Sequence, residues 1–278
     1  MELTEDQLKT AECELKRHLP RSQQVYGFLV LRNRGKANPV KVCVDKWPNF
    51  SVIICKPDFE KETYFFKDTL LFATDEAVLE EAIKTPSVID WEQYFCLGTS
   101  LSHMAKVKAV ASEKNVPFSQ LAVCHMMILQ DVTKLPSVDS SGLSLNSLDE
   151  SHLGLINQTW KFGKNQWSTG MIRNMIVNFP SCCVLDADGK PVSWILTYAS
   201  CAVGMLHTLP EHRRKGYAKV LISSVAKKLY AEGYPVFCFI EEGNLASYQL
   251  FKSMGFTEDP SHRETWWEFN HLNTSTVS

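Results

Sequence analysis

Apolar positions near the start of the chain recur at helical spacing. Leu8, Ala11, Leu15 and Leu19, within MELTEDQLKTAECELKRHL, predict an amphipathic helix. VYGFLVL (25–31), VKVCVDKW (40–47) and FSVIICK (50–56) then read as three β-rich runs. They are divided by a turn at 35–39 and by Pro48-Asn49. Residues 74–86 and 90–114 read as helical, and QLAVCHMMIL (120–129) is a buried apolar run. The Ser-rich, aromatic-free stretch 135–149 is the best linker in the chain. It leads into a capping box, Ser147-Leu-Asp-Glu150, that opens a helix reaching about Trp160.

The second half alternates more regularly. A helix near 166–178, stopped by Pro180, precedes a hairpin of 182–186 and 191–199 turned at Ala187-Asp188-Gly189-Lys190. A strand at 201–209, a helix from about 215 to 232, a strand at 234–240, a short helix at 244–254 and a last strand at 264–269 follow. This order predicts an α/β fold, a mixed central β-sheet flanked by helices.

Composition narrows the class. The chain has 278 residues, 45% hydrophobic and 22% charged, enough to bury a sizeable core. Its net charge of -2 argues against a partner bound by phosphate neutralisation along a nucleic acid. No apolar run has the ~20 residues of a membrane span. The nine cysteines form no CxxC pair, and Cys182-Cys183 are adjacent, which points to reduced, buried thiols. The acidic N-terminus supplies no transit signal, and the triplets at Asn49, Asn157 and Asn273 read as chance glycosylation matches. His103, His125 and His152 lack ligand spacing, so no metal site is expected, and no Gly-x-Ser-x-Gly elbow is present.

One segment carries chemistry: Met205-Leu-His-Thr-Leu-Pro-Glu-His-Arg-Arg-Lys-Gly-Tyr-Ala218. A strand ends in a basic turn and a long amphipathic helix starts at once. The N–H groups of such a turn, with the first unpaired N–H groups of the helix, form an anion cradle. Gly216 admits a phosphate close to the backbone, Ala218 leaves that space open, and Arg213, Arg214 and Lys215 add positive charge. The chemistry points to a pyrophosphate.

These residues resemble a known superfamily. Arg213-x-x-Gly216-x-Ala218 is similar to the Q/R-x-x-G-x-G/A loop of GNAT acyltransferases, and Asn244-x-x-Ser247 with Gly255-Phe256 resembles their second motif. VDKWPNF (44–50), NQTWKFGKNQ (157–166), the stretch 178–186, PVSW (191–194) and TLPEHRRKGY (208–217) resemble the glycine N-acyltransferase family. The resemblance implies two GNAT-like lobes, 1–140 and 147–278, the second binding acyl-CoA. It implies transfer of an acyl group from acyl-CoA, a co-substrate and not a resident cofactor, to the amine of glycine or a similar small amino acid. The expected acyl-CoA contacts are Leu206 and Thr208, the turn Arg213-Arg214-Lys215-Gly216, Tyr217 and Ala218, and Asn244. The expected partners are small molecules alone, with the chain a monomer, and the family points to mitochondria, with the cytoplasm as the alternative.

Two positions depart from the pattern. The strand position that usually holds a Glu base is Ala202, and the usual aromatic hydroxyl of the second motif is Phe251. A Glu restored at 202 is expected to speed acylation. His207 is the replacement base in reach, although strict alternation puts 202, 204, 206 and 208 on one face and turns it away unless a bulge intervenes. Tyr248, one turn before Phe251, is the replacement hydroxyl. Arg173 is a candidate fork for the acceptor carboxylate, its alternative being a plain helix-surface arginine. A CoA-binding pseudoenzyme and an acyltransferase for another amine remain open alternatives.

Overall fold

The computed structural model describes residues 1–35, 40–58 and 68–270. The turn expected at 35–39 lies largely outside them, as does the Asn273 triplet. The first helix, α1 (Glu5–Lys16), starts at Thr4, whose N–H donates to Gln7 Oε1 at 2.9 Å, and buries Leu8, Ala11 and Leu15. Next comes α2 (Gln23–Asn33), where the sequence pattern predicts a strand. Val25, Phe28, Leu29, Val30 and Leu31 are all buried, because α2 is covered on several sides. A helix that is apolar all round loses its 3.6-residue signal and reads like a buried strand.

β1 (Val40–Val44), β2 (Val52–Pro57) and β3 (Asp68–Ala73) form a meander edge, followed by α3 (Glu76–Lys84). The helical expectation for 90–114 divides: β4 (Phe95–Ser100) is a short buried strand, and only α4 (Met104–Glu113) is helical. The apolar run becomes β5 (Phe118–Ile128). The Ser-rich stretch is tied to the fold by β6 (Ser144–Asn146), which pairs with the next strand, and by Leu148, whose N–H donates to Ser181 Oγ at 3.0 Å.

α5 (Leu153–Thr159) and α6 (Gln166–Asn178) precede the hairpin of β7 (Cys182–Leu185) and β8 (Pro191–Thr197). Then come β9 (Val203–Thr208), α7 (Tyr217–Ala231), β10 (Phe237–Glu241), α8 (Leu245–Ser253), β11 (Thr257–Glu258) and β12 (Glu264–Phe269). The strands join one mixed sheet in the order β1-β2-β3-β4-β12-β5-β10-β9-β8-β7-β6, with β11 beside β5. The last strand thus sits between two strands of the first half.

Register sorts the helices onto two faces. Cys182 contacts Ser224 of α7 on one face, and the Tyr248 ring of α8 lies 4.8 Å from His125 on that same face. On the opposite face, Gln24 of α2 abuts Gly98 and Gly27 lies against the Ser200 carbonyl and the Phe237 ring. Trp194, Phe28, Phe237 and Phe256 anchor the main core, each contributing about 1.5–3 kcal/mol by burial. A second cluster under α3 and α4 stacks Phe95 on Phe269 at 4.8 Å. All nine cysteines are free thiols, and all but Cys13 are buried.

Candidate functional site

β9 and β10 run parallel but share a single aligned pair, Val203 with Cys238. Beyond it they part. Although β9 lies inside the sheet, Gly204 to Thr208 are all half-buried, whereas every residue of its other neighbour, β8, is buried. The exposure marks a cleft between β9 and β10, a feature that no residue pattern announces.

At its open end the chain turns into α7. Pro210–His212 form a short 3-10 turn, Arg214 has φ +63° and Gly216 φ +81°, both left-handed. The Arg213 Nε–H donates to the Thr208 carbonyl at 3.1 Å, and the Thr208 and Ser193 hydroxyls are 2.7 Å apart, which fixes the end of β9. The N–H groups of Arg214, Lys215, Gly216, Tyr217 and Ala218 donate to no acceptor among the described residues. Arg213, Arg214 and Lys215 are exposed and in no ion pair there. Five free N–H donors beside three cations in no ion pair, at a helix N-terminus, make an electrostatic seat for a phosphate group. A Cβ on Gly216 would meet no atom within 4 Å, so the space above it is open to a ligand.

The bulge falls at Met205–Leu206. On β8, Trp194 faces His207 and Leu196 faces Gly204, so Ile195 alone opposes Met205 and Leu206; Met205 has φ +49°. This corrects the alternation. Ala202, Gly204 and His207 share the face opposite α7, and Thr208 turns to the other. The His207 ring stacks on Trp194 at 5.1 Å and 27°, and burial, with Arg213 second, holds its pKa below the usual histidine value. It stands near the cradle end of β9, three positions beyond the point where the strands part. Leu206 and Tyr217 pack partly buried against the core.

The other candidates are spread out. Ala202 is 1% exposed. Phe251 is buried edge-on against Phe256 at 5.1 Å. The Tyr248 hydroxyl donates to Glu258 Oε1 at 2.6 Å, and Glu258 also meets His125 Nδ1 at 2.7 Å and the Arg263 guanidinium at 3.5 Å. That cluster sits over β5 and β11, on the side of β10 away from β9, so the hydroxyl is turned from the cleft. Asn244 caps α8 by accepting the Ser247 N–H at 3.1 Å. Arg173 is exposed on α6 and pairs with Glu150 at 3.1 Å, a carboxylate of the chain itself. Sequence reasoning missed the loop between α5 and α6: Lys161 meets Glu241 of β10 at 2.6 Å, which brings the loop over the cleft face that carries Ala202 and His207. A polar cleft of about 660 Å³, lined by Asn157, Gln158, Lys164, Asn165 and Thr169, opens beside it. Among the described residues no three His, Cys, Asp or Glu side chains gather as metal ligands.

Parted parallel strands, a bulged first strand and a free N–H turn at the next helix define a GNAT acyltransferase fold. Solved structures agree on the fold: a Drosophila protein superposes with a TM-score of 0.80 over 99% of both chains at 17% identity. A tandem GNAT protein from the clavulanic acid biosynthesis pathway gives 0.56 over 96% of this chain and 97% of its own, at 13% identity. The chain belongs to the aralkyl acyl-CoA:amino acid N-acyltransferase family, whose model matches residues 3–180, while the FR47-like protein model matches 184–267. Glycine N-acyltransferase of Mus musculus is 28% identical and that of Bos taurus 29%, each over 93% of this chain and 95% of the relative. No described helix is long and apolar enough to cross a membrane.

Proposed function

We propose that this protein transfers an acyl group from acyl-CoA to the amino group of glycine or a similar small amino acid, giving an N-acyl amino acid and CoA. The observation that carries the reading is the row of free N–H groups from Arg214 to Ala218 at the mouth of the β9–β10 cleft. In this reading Arg213, Arg214 and Lys215 with that turn hold the pyrophosphate, and Leu206 and Thr208 border the pantetheine arm. Asn244, as the cap of α8, steadies the far wall. The amine attacks the thioester carbon directly, with no acyl-enzyme, and positioning supplies much of the rate, since effective molarity is worth about 7–11 kcal/mol in well-aligned cases. The bulged Met205–Leu206 backbone offers an N–H to the developing oxyanion. The reading extends to two GNAT-like halves, 1–140 and 147–278, a monomer, and a mitochondrial setting taken from the family alone.

A thiol-release assay over a panel of acyl-CoAs, with and without glycine, tests the reading. Glycine-dependent release supports it. The rival is a CoA-binding pseudoenzyme, favoured by the apolar, buried Ala202 and Phe251; binding without release establishes that instead. Release with a polyamine or a lysine peptide but not with glycine selects the third reading, an acyltransferase for another amine.

A further inference from the structure

The acyl transfer proposed above lacks its two usual proton-handling side chains, and the turn between β8 and β9 offers another. The Tyr198 N–H donates to the Ala202 carbonyl at 2.8 Å, so the two residues stand opposite each other at the end of the hairpin. Register places Tyr198, Ala202, Gly204 and, past the bulge, His207 on one face. The Tyr198 ring lies directly on Gly204: a Cβ built there would stand 2.4 Å from Cε2 and 3.3 Å from Cδ2. Only hydrogen fits at 204 with the ring in place. Gly204 is also the first residue past Val203, where β9 and β10 part. The ring therefore roofs the root of the cleft, beside the position from which a base usually projects.

The hydroxyl is available. It makes no hydrogen bond to a described residue, and it is not among the fully buried polar atoms. A tyrosine in a largely apolar setting ordinarily finds a partner for its O–H. Here the residue is half-buried at the root of the cleft, and the partner it suits is a substrate. Burial first, then the Asp68 carboxylate, raises its pKa above the usual phenol value, so it is protonated at neutral pH.

We propose that the Tyr198 hydroxyl is the proton-handling group of the acyl transfer, replacing both side chains whose places are taken by Ala202 and Phe251. The inference rests on the acyltransferase reading. The neutral amine attacks the thioester carbon, the C–N bond forms and the carbonyl oxygen takes the negative charge. As the C–S bond breaks, the phenol oxygen accepts a proton from the amine nitrogen while its own proton passes to sulfur. The amine loses one proton, the thiolate gains one, and the tyrosine ends unchanged.

Tyr198→Phe keeps the ring on Gly204 and removes only the oxygen. General acid–base catalysis is typically worth about 10²–10⁴-fold. The expected result is a kcat for glycine acylation lowered by about tenfold or more, with acyl-CoA affinity by calorimetry and the melting temperature unchanged. An active wild type with Tyr198→Phe within about tenfold of it overturns the role of Tyr198 and leaves the acyltransferase reading standing. A loss of rate matched by a loss of acyl-CoA affinity marks a structural effect and overturns the role as well. A wild type that binds acyl-CoA but releases no thiol with any amine overturns both.

Discussion

Replacing Gly216 separates the cost of the turn from the loss of the cradle. Its φ of 81° is left-handed, where an L side chain costs about 1–2 kcal/mol, yet a Cβ there touches nothing. Gly216→Ala should fold and melt lower by about 2–4 °C per kcal/mol for a chain of this size. Gly216→Glu carries the same strain and adds a carboxylate beside five free N–H groups that await an anion. At about 5 Å, with an effective dielectric of about 20–80, Coulomb's law gives about 1–3 kcal/mol of repulsion per phosphate charge. Two pyrophosphate charges then lose about 2–6 kcal/mol, and even the low end weakens Kd about 30-fold. Calorimetry of acyl-CoA binding, with thermal unfolding alongside, reads both effects, and added salt should shrink the gap between the variants. If Gly216→Glu melts like Gly216→Ala and binds acyl-CoA like wild type, phosphate does not sit in this turn and the reasoning fails.

Three further outcomes are expected. Ala202→Glu should not raise the rate, contrary to the expectation from the motif alone: at 1% exposure, a carboxyl there must be taken out of water into a space shaped for a methyl group. It should cost about 2–4 kcal/mol in thermal unfolding, and a folded variant with faster glycine-dependent thiol release would refute this. Tyr248→Phe removes the 2.6 Å bond to Glu258 and should lower the melting temperature with kcat unchanged, because the hydroxyl faces away from the cleft; a tenfold fall in kcat would contradict that placement. Burial raises the Glu264 carboxyl pKa, outweighing the His262 bond that lowers it, so the folded state holds extra protons above the unfolded value of about 4.3. The contribution of Glu264 should therefore fall as pH rises through that window, and the stability of wild type relative to Glu264→Gln in urea unfolding should decrease with it; a difference that does not change with pH would refute this.

The chemical centre was more legible than the frame that holds it. Arg213, Gly216 and Ala218 sit in a local segment, strand to turn to helix, whose geometry follows from its own sequence, and the structure folds it so. The strand boundaries at 182–185 and 264–269 were equally local. What failed was whatever depends on distant neighbours. VYGFLVL became a helix because surrounding elements bury it, which erases the period that tells helix from strand. His207 changed faces because one bulged residue, Met205, reverses all later parity, and nothing in VGMLHT marks the bulge. Nothing in the sequence marks Tyr198, because Gly204, on which its ring lies, reads as an ordinary strand glycine.

The cleft itself is a property of the whole sheet. Two parallel strands can stay apart only if each is held firmly from its other side, since their unpaired N–H and C=O groups would otherwise close the ladder. β9 is held by β8. Among the described residues of the second half, β10 has no such neighbour. It is held by β5 of the first half, through an antiparallel ladder running from Phe237 with Ile128 to Glu241 with Cys124. β5 is in turn locked by β12, the last described strand, which also pairs with β4 along its full length. On the open face, Gly27 of α2 fits against Ser200 and Phe237, bracing both the turn that carries Tyr198 and Ala202 and the root of β10. The first half thus supplies the far wall and the brace of a site whose phosphate turn lies entirely in the second, and the exchange of β5 and β12 keeps the cleft open before any ligand enters.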